Sequence, residues 1–282
     1  MSLVLVSLKS FGDFVITVQS VEKIIPPKPS GPSLIVGNHL KPLATALSTH
    51  VHLQFIGDST YSDVPAAFDI GHQGKLAALR SLLDLRQQLA GQPSGTHLVF
   101  DRLRWRERII AGRTRHIGLP DANNIYAAHE KLFHSLGYAM RTPTTRITPV
   151  INSAVIIPVS RIIRKTIPVD VIAGLHARLK ESGITTSVLS FQGENTAVPP
   201  GVPMTVVPRT FPALISALCH ADMVISADSL AAHLSERYGR PTFVVTPIAN
   251  QYWLPHQAFV NDSWACFNDL TPFSKWLQRA QP

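Results

Sequence analysis

The stretch Val224-Ile225-Ser226-Ala227-Asp228-Ser229-Leu230-Ala231-Ala232-His233-Leu234 constrains this chain most, because an apolar strand runs into a small, acidic, hydroxylated turn and a helix starts at once. In an open α/β sheet such a junction is an anion site. The first free backbone N–H groups of the helix and its positive dipole end face whatever lies beyond the strand's carboxyl end. Asp228 either caps the helix there or meets a ligand hydroxyl. A second junction of this kind opens the chain, with Leu3-Val4-Leu5-Val6 as a buried strand and Ser10-Phe11-Gly12-Asp13 as the turn after it. Gly12 permits a tight turn, and Asp13 would project from the strand's carboxyl end into a crevice, although a plain turn is the commoner use of a Gly-Asp pair.

Alternation of strand-like and helix-like segments sets the fold class. Leu34-Ile35-Val36, Leu53-Gln54-Phe55-Ile56 and Leu98-Val99-Phe100 read as strands, and Lys75 to Leu89 carries a helical apolar period. After a helix-like Ile125 to Leu136 comes a Pro/Thr-rich stretch, Arg141 to Pro149, with the composition of an interdomain linker. Beyond it strands are expected at Ala154 to Pro158, Thr186 to Ser190, the Val224 segment and Thr242 to Val245. Helices are expected at Val169 to Ser182, Pro212 to Cys219 and Ser229 to Tyr238. Such alternation implies parallel sheets. The expected fold is therefore α/β, with two Rossmann-like doubly wound domains, 1–145 and 153–282, facing a cleft. A length of 282 residues exceeds what one core usually holds, and 45% apolar content is ample for two.

The first residues lack a basic leader and cleavage site, and no apolar run approaches the ~18 residues of a spanning helix, so the chain reads as cytoplasmic. Cys219 and Cys266 have no metal-type spacing and are assigned no chemistry. The formal net charge of +8 favours an acidic partner: nucleic acid, an anionic membrane or a phosphorylated substrate. Arg102, Arg104, Arg106, Arg108, Arg113 and Arg115 crowd the segment after the strand-like Thr96 to Asp101, which reads as a basic rim at the carboxyl end of the first sheet, or as a solvated helix face. Trp105 among them favours a contact surface. The chain carries no helix-turn-helix, zinc-finger or RNP-like signature, so nucleic acid is set aside as the partner.

Several of these segments together resemble one family. Val6-Ser7-Leu8-Lys9-Ser10-Phe11-Gly12-Asp13 is similar to the opening strand and Gly-Asp element of GT-B glycosyltransferases of the bacterial heptosyltransferase type, a family 9-like group. Lys165-Thr166-Ile167-Pro168 resembles that family's Lys-x-Trp-Pro element, Gly193-Glu194 its glycine turn and glutamate, and Asp228-Ser229-Leu230-Ala231-Ala232-His233-Leu234 its Asp-Thr-Gly-x-x-His-Leu signature. Thr246-Pro247 with Trp253 and Pro255 is similar to its closing stretch. The matches run in sequence order along most of the chain. Leu230, Ile167 and Thr246 depart from it, standing where the family has glycine, tryptophan and glycine. A leucine at the start of the helix after Asp228 bears on which nucleotide diphosphate fits there.

The resemblance implies a metal-independent, inverting transfer of a sugar, heptose or similar, from a nucleotide-diphosphate donor to an anionic glycan or glycolipid acceptor such as lipopolysaccharide core. It implies no cofactor and allows peripheral contact with the cytoplasmic face of the inner membrane. Under it Asp13 is the catalytic base. Lys165 and the backbone donors after Asp228 meet the diphosphate, and Ser160, in a turn over the donor site, hydrogen-bonds a phosphate. Glu194 suits a ribose diol, and Asp228 holds sugar hydroxyls or caps its helix. Ser229, Leu230 and His233 complete the donor site, with His233 equally readable as a packed core histidine. Arg102, Arg104 and Arg106 would meet the anionic acceptor. The alternative is a nucleotide-sugar-binding protein without catalysis, or a regulatory one, on the same fold.

Overall fold

The computed structural model describes residues 2–25, 31–57, 64–141 and 150–280. The Pro/Thr-rich stretch from 142 to 149 lies outside them. The chain divides into two compact units, one of Met1–Ala122 with Tyr126–Thr142, the other of Asn123–Ile125 with Pro143–Pro282.

In the first unit the elements run β1 (Ser2–Ser7), α1 (Phe11–Glu22), β2 (Ser33–Gly37), α2 (Lys41–Leu47), β3 (Leu53–Ile56), α3 (Ile70–Gln73), α4 (Lys75–Ala90), β4 (Thr96–Phe100), α5 (Trp105–Ala111), β5 (Arg115–Gly118) and α6 (Ile125–Ser135). The five strands are parallel and lie in the order β3-β2-β1-β4-β5. Both faces of such a sheet are covered by helices, which is why Leu3 to Val6 form an unbroken apolar run and are all buried. Val4, Val6, Ile35, Leu98 and Phe100 pack on Leu82, Leu85 and Leu89 of α4. The direction of winding reverses between β1 and β4, whose register sets Val6 opposite Phe100. Both chains thus leave the sheet at one level, at the switch point where open α/β sheets bind ligands.

The second unit runs β6 (Ser153–Ile157), α7 (Val169–Glu181), β7 (Thr185–Phe191), β8 (Met204–Val207), α8 (Phe211–His220), β9 (Met223–Ala227), α9 (Leu230–Arg237), β10 (Thr242–Thr246), α10 (His256–Val260), β11 (Trp264–Cys266) and α11 (Thr271–Ala280). Its six parallel strands lie in the order β11-β10-β9-β6-β7-β8, with the reversal between β6 and β9. At the amino ends of that central pair the Asp222 carboxylate accepts from Asn152 N–H (3.1 Å), Ser153 N–H (2.9 Å) and Ser153 Oγ (2.9 Å). At the far end Ile157 pairs with Ser226, so the chain that follows β6 and the turn after β9 emerge together. Phe243, Phe273 and Trp276 close the core beneath α11, with Phe243 4.9 Å from Phe273 and 5.2 Å from Trp276, ring to ring.

These are the two Rossmann-like doubly wound sheets that the alternation predicts. The short strands β5, β8 and β11 are additions to it, each sitting at or next to a sheet edge.

Candidate active site

In the second unit the chain leaves β6 at Ile157 and folds over the switch point. Pro158 C=O accepts from Ile167 N–H (3.0 Å), Ser160 N–H donates to Thr166 Oγ1 (3.4 Å), and Ser160 Oγ accepts from Ile162 N–H (3.3 Å). This closed loop carries a single 3-10 turn, Ile163–Lys165, which delivers the Lys165 ammonium to the end of β9. There its Nζ lies 2.6 Å from Asp228 Oδ2. Ile167, standing where the resemblance expects tryptophan, is buried in the core below the loop. The exchange changes packing and leaves the lysine's presentation in place.

Asp228 does not cap α9. The N-cap is Ser229, whose side chain makes no capping bond and whose Oγ lies 3.4 Å from Ser226 Oγ. With its carboxylate turned to Lys165, Asp228 leaves the helix start open, with Leu230 as the first helical residue, half-buried. His233, one turn further on, is buried. Burial pushes its imidazole down to about 4, with Lys165 acting in the same direction and Asp228 against it, so His233 is neutral near pH 7. Lys165, Asp228 and His233 are thus one electrostatic group.

Glu194 stands on the turn after β7. Gly193 takes φ +81°, which a side chain would resist, and Glu194 N–H reaches back to Phe191 C=O at 3.0 Å. Glu194 Oε1 lies 3.4 Å from Arg209 Nη2, while Oε2 is buried without a hydrogen-bond partner among the described residues. An acceptor so placed is suited to a ligand hydroxyl.

In the first unit Asp13 lies on the first turn of α1, not on the turn before it. Ser10 is the N-cap and accepts from Asp13 N–H at 3.1 Å, and Gly12 sits inside the helix, outside the positive-φ glycines. The tight turn expected at Gly12 is therefore absent, since Ser10 supplies the start signal. The Asp13 side chain still faces the switch point, where a recess is lined by Ser7, Lys9, Asp13, Phe68, Asp101, Arg102 and Glu107 among others. Lys9 is ion-paired with buried Glu107 and lies over the Phe68 ring. Asp101, directly after β4, has His129 of α6 behind it, Nε2 to Oδ1 3.6 Å. Burial and then the charge of Asp13 push the Asp101 carboxyl up to about 8, against Lys9 and Arg102.

The arginines do not form one rim. Arg102 lines the recess, but Arg104 starts α5, its N–H held by Glu107 Oε2 at 3.1 Å, and Arg106 donates to Ala67 C=O at 3.0 Å. Arg115 begins β5 opposite His97, near the amino end of β4, and so lies at the other end of the sheet.

Sequence reasoning missed Ser7, Asp101 and His129. Ser7 Oγ is buried without a partner among the described residues. An acidic residue directly after the Leu98 strand was the available signal for Asp101. Nothing local marked His129, which reaches the site from a later helix. Among the described residues no group of three or more His, Cys, Asp or Glu could hold a metal ion, and no helix is long and apolar enough to cross a membrane.

No family model matches this sequence, and no curated protein matches it significantly. Solved structures do. Escherichia coli heptosyltransferase WaaC with ADP-2-deoxy-2-fluoro heptose superposes with a TM-score of 0.60 at 15% identity, covering 99% of this chain and 98% of that one. A glycosyl transferase family 9 protein from Veillonella parvula gives 0.62 at 11% identity, covering 94% and 85%. E. coli ADP-heptose lps heptosyltransferase II gives 0.57 at 11% identity, covering 99% and 98%. The fold is that of the heptosyltransferases, the GT-B class that the motif resemblance implied.

Proposed function

We propose that the chain is a glycosyltransferase that takes a sugar, heptose or similar, from a nucleotide diphosphate and passes it to an anionic glycan such as lipopolysaccharide core. The observation that carries this reading is the Lys165–Asp228 pair beside the open start of α9, at the switch point of the second sheet. A diphosphate entering there gains the ammonium and the free helix N–H groups, and releases the Asp228 carboxylate for a sugar hydroxyl. Glu194 Oε2 takes the ribose diol and Ser160 a phosphate oxygen. The heptosyltransferase structures that share the fold support the donor class, since WaaC is known with ADP and an ADP-heptose analogue.

In this reading the acceptor oxygen attacks the anomeric carbon from the face opposite the diphosphate and its proton passes to Asp13. The carbon–oxygen bond to the donor breaks with its electron pair left on the diphosphate, where Lys165 and α9 meet the charge without a metal ion. The product is inverted. The first unit serves the acceptor and the second the donor. Arg102, with Arg104 and Arg106 nearby on α5, meets the anionic acceptor. Leu76, Leu79 and Leu83 are exposed along one side of α4 beside Lys75 and Arg80, which supports peripheral contact of a cytoplasmic protein with an anionic inner-membrane surface.

A thermal-shift panel of nucleotide diphosphates and nucleotide sugars, followed by transfer to truncated glycolipid, tests this. A ligand at a hundred times its Kd adds about 2.7 kcal/mol to apparent stability. A silent panel would overturn the reading. Leu230 at the helix start, in place of glycine, favours one second reading, a nucleotide-sugar-binding protein without turnover. Stabilisation by donor with no transfer to any acceptor selects it.

A further inference from the structure

The recess of the first unit carries a hydroxyl group that the proposed transfer does not use. Ser7 ends β1 and lines the recess together with Asp13. Val4, Val6 and Leu8 pack toward α4, so Ser7 belongs with Leu3 and Leu5 to the other face of the strand, where it interrupts a buried apolar series. Three equally buried hydroxyls near the carboxyl ends of strands in the second unit serve the fold. Ser190 Oγ donates to Thr196 Oγ1 (2.8 Å), Ser226 Oγ to Ala227 C=O (2.8 Å) and Thr246 Oγ1 to Ile248 C=O (3.1 Å). Ser7 Oγ has no hydrogen-bond partner among the described residues. Thr96 Oγ1 is in the same state, but it sits at the amino end of β4, away from the switch point. A buried hydroxyl left without a hydrogen bond works against folding, so alanine would suit the strand better than serine.

The surroundings of Ser7 are held in place. Ser10 caps the first turn of α1 on Asp13 N–H at 3.1 Å. Lys9, paired with Glu107, lies 5.2 Å over the Phe68 ring, and Glu107 in turn accepts from Arg104 N–H at 3.1 Å. The interior that these residues line admits about one group the size of a water molecule, which is also the size of a hydroxyl.

We propose that Ser7 holds the attacking hydroxyl of the acceptor. The inference rests on the reading of Asp13 as the base. A sugar hydroxyl seated in the recess donates to the Asp13 carboxylate and accepts from Ser7 Oγ–H, which leaves its second lone pair for the anomeric carbon. In the transfer that oxygen bonds to the anomeric carbon, and the bond from this carbon to the diphosphate breaks with its electron pair on the diphosphate. The acceptor proton passes to Asp13, and Ser7 keeps its own. Binding of the acceptor thus gives Ser7 the partner that the free fold withholds.

Ser7→Ala in the full chain separates this role from a structural one. No bond of the free protein is lost, so the melting temperature should equal or exceed that of the wild type. In the transfer assay kcat/KM for a truncated lipopolysaccharide-core glycolipid should fall by about 10–100-fold, with the donor KM unchanged. A melting temperature lowered by Ser7→Ala would show the hydroxyl already bonded within the fold, and wild-type kcat/KM would show that the acceptor never meets it. Either result overturns the inference and leaves the glycosyltransferase reading standing. An equal loss of donor affinity in calorimetry overturns it as well, by placing Ser7 on the donor side. A wild-type chain that transfers no sugar to the glycolipid from any nucleotide-sugar donor overturns both.

Discussion

The two switch points are built from the same parts and reach opposite charge states. Each has an aspartate directly after a central strand, Asp101 after β4 and Asp228 after β9, and each has a buried histidine close by. In the second unit the loop after β6 places Lys165 on Asp228 at 2.6 Å, and the lysine helps to hold His233 neutral. In the first unit the lysine after β1 goes to Glu107, and Asp101 is left to keep a proton beside Asp13. The destination of one lysine thus separates a site suited to receive an anion from one suited to receive a proton.

The most severe way to break this contrast is Asp13→Asn. Transfer should fall by 10²–10⁴-fold, in line with loss of a general base, with donor affinity unchanged. A merely structural Asp13 would show the reverse, a lower melting temperature with turnover per folded molecule preserved. Next in size, Lys165→Ala should weaken nucleotide diphosphate binding by about 10–100-fold in calorimetry, the worth of a charged hydrogen bond. It should also raise the pH at which His233 titrates, since Lys165 lowers it.

Stability against pH sharpens the comparison, because the two groups have opposite signs. His233 is held at about 4, below its usual value of 6.5, so the unfolded chain takes up a proton that the folded one refuses, and stability is lost as pH falls from about 6.5 toward 4. Asp101 is held at about 8, above 3.8, so the folded chain keeps a proton that the unfolded one releases, and stability is lost as pH rises from about 4 to 8. Melting curves of His233→Gln should flatten the loss between about pH 6.5 and 4, and those of Asp101→Asn the loss between about pH 4 and 8. The smallest effect is expected at the surface. Arg104→Glu with Arg106→Glu should weaken acceptor use and reduce its salt dependence without touching nucleotide binding.

The strands were legible where burial on both faces writes an apolar run, as in Leu3 to Val6 and Met223 to Ala227. Arg115-His116-Ile117-Gly118 carries no such run and is a strand because β4 offers it a pairing edge, which only the folded sheet supplies. In the second unit, short motifs at strand ends brought Lys165, Asp228 and His233 forward because they lie on two short segments, the loop after β6 and the turn and first helical turn after β9. The first unit resisted the same approach. The state of Asp101 depends on Glu107 capturing Lys9 and on His129 arriving from α6, relations between distant segments that no spacing encodes.

Asp222 has a consequence for how the second unit assembles. Its carboxylate accepts three hydrogen bonds from Asn152 and Ser153, chiefly the Ser153 hydroxyl, which holds it below the usual carboxylate range. Those partners lie 70 and 69 residues away in sequence, so joining the β6 and β9 halves of the sheet closes a long loop. The entropy of closure grows slowly with length, but it is spent before the contacts that repay it. If the clamp forms in the folding transition state, Asp222→Ala slows refolding more than it speeds unfolding, which a chevron plot of the variant reads directly.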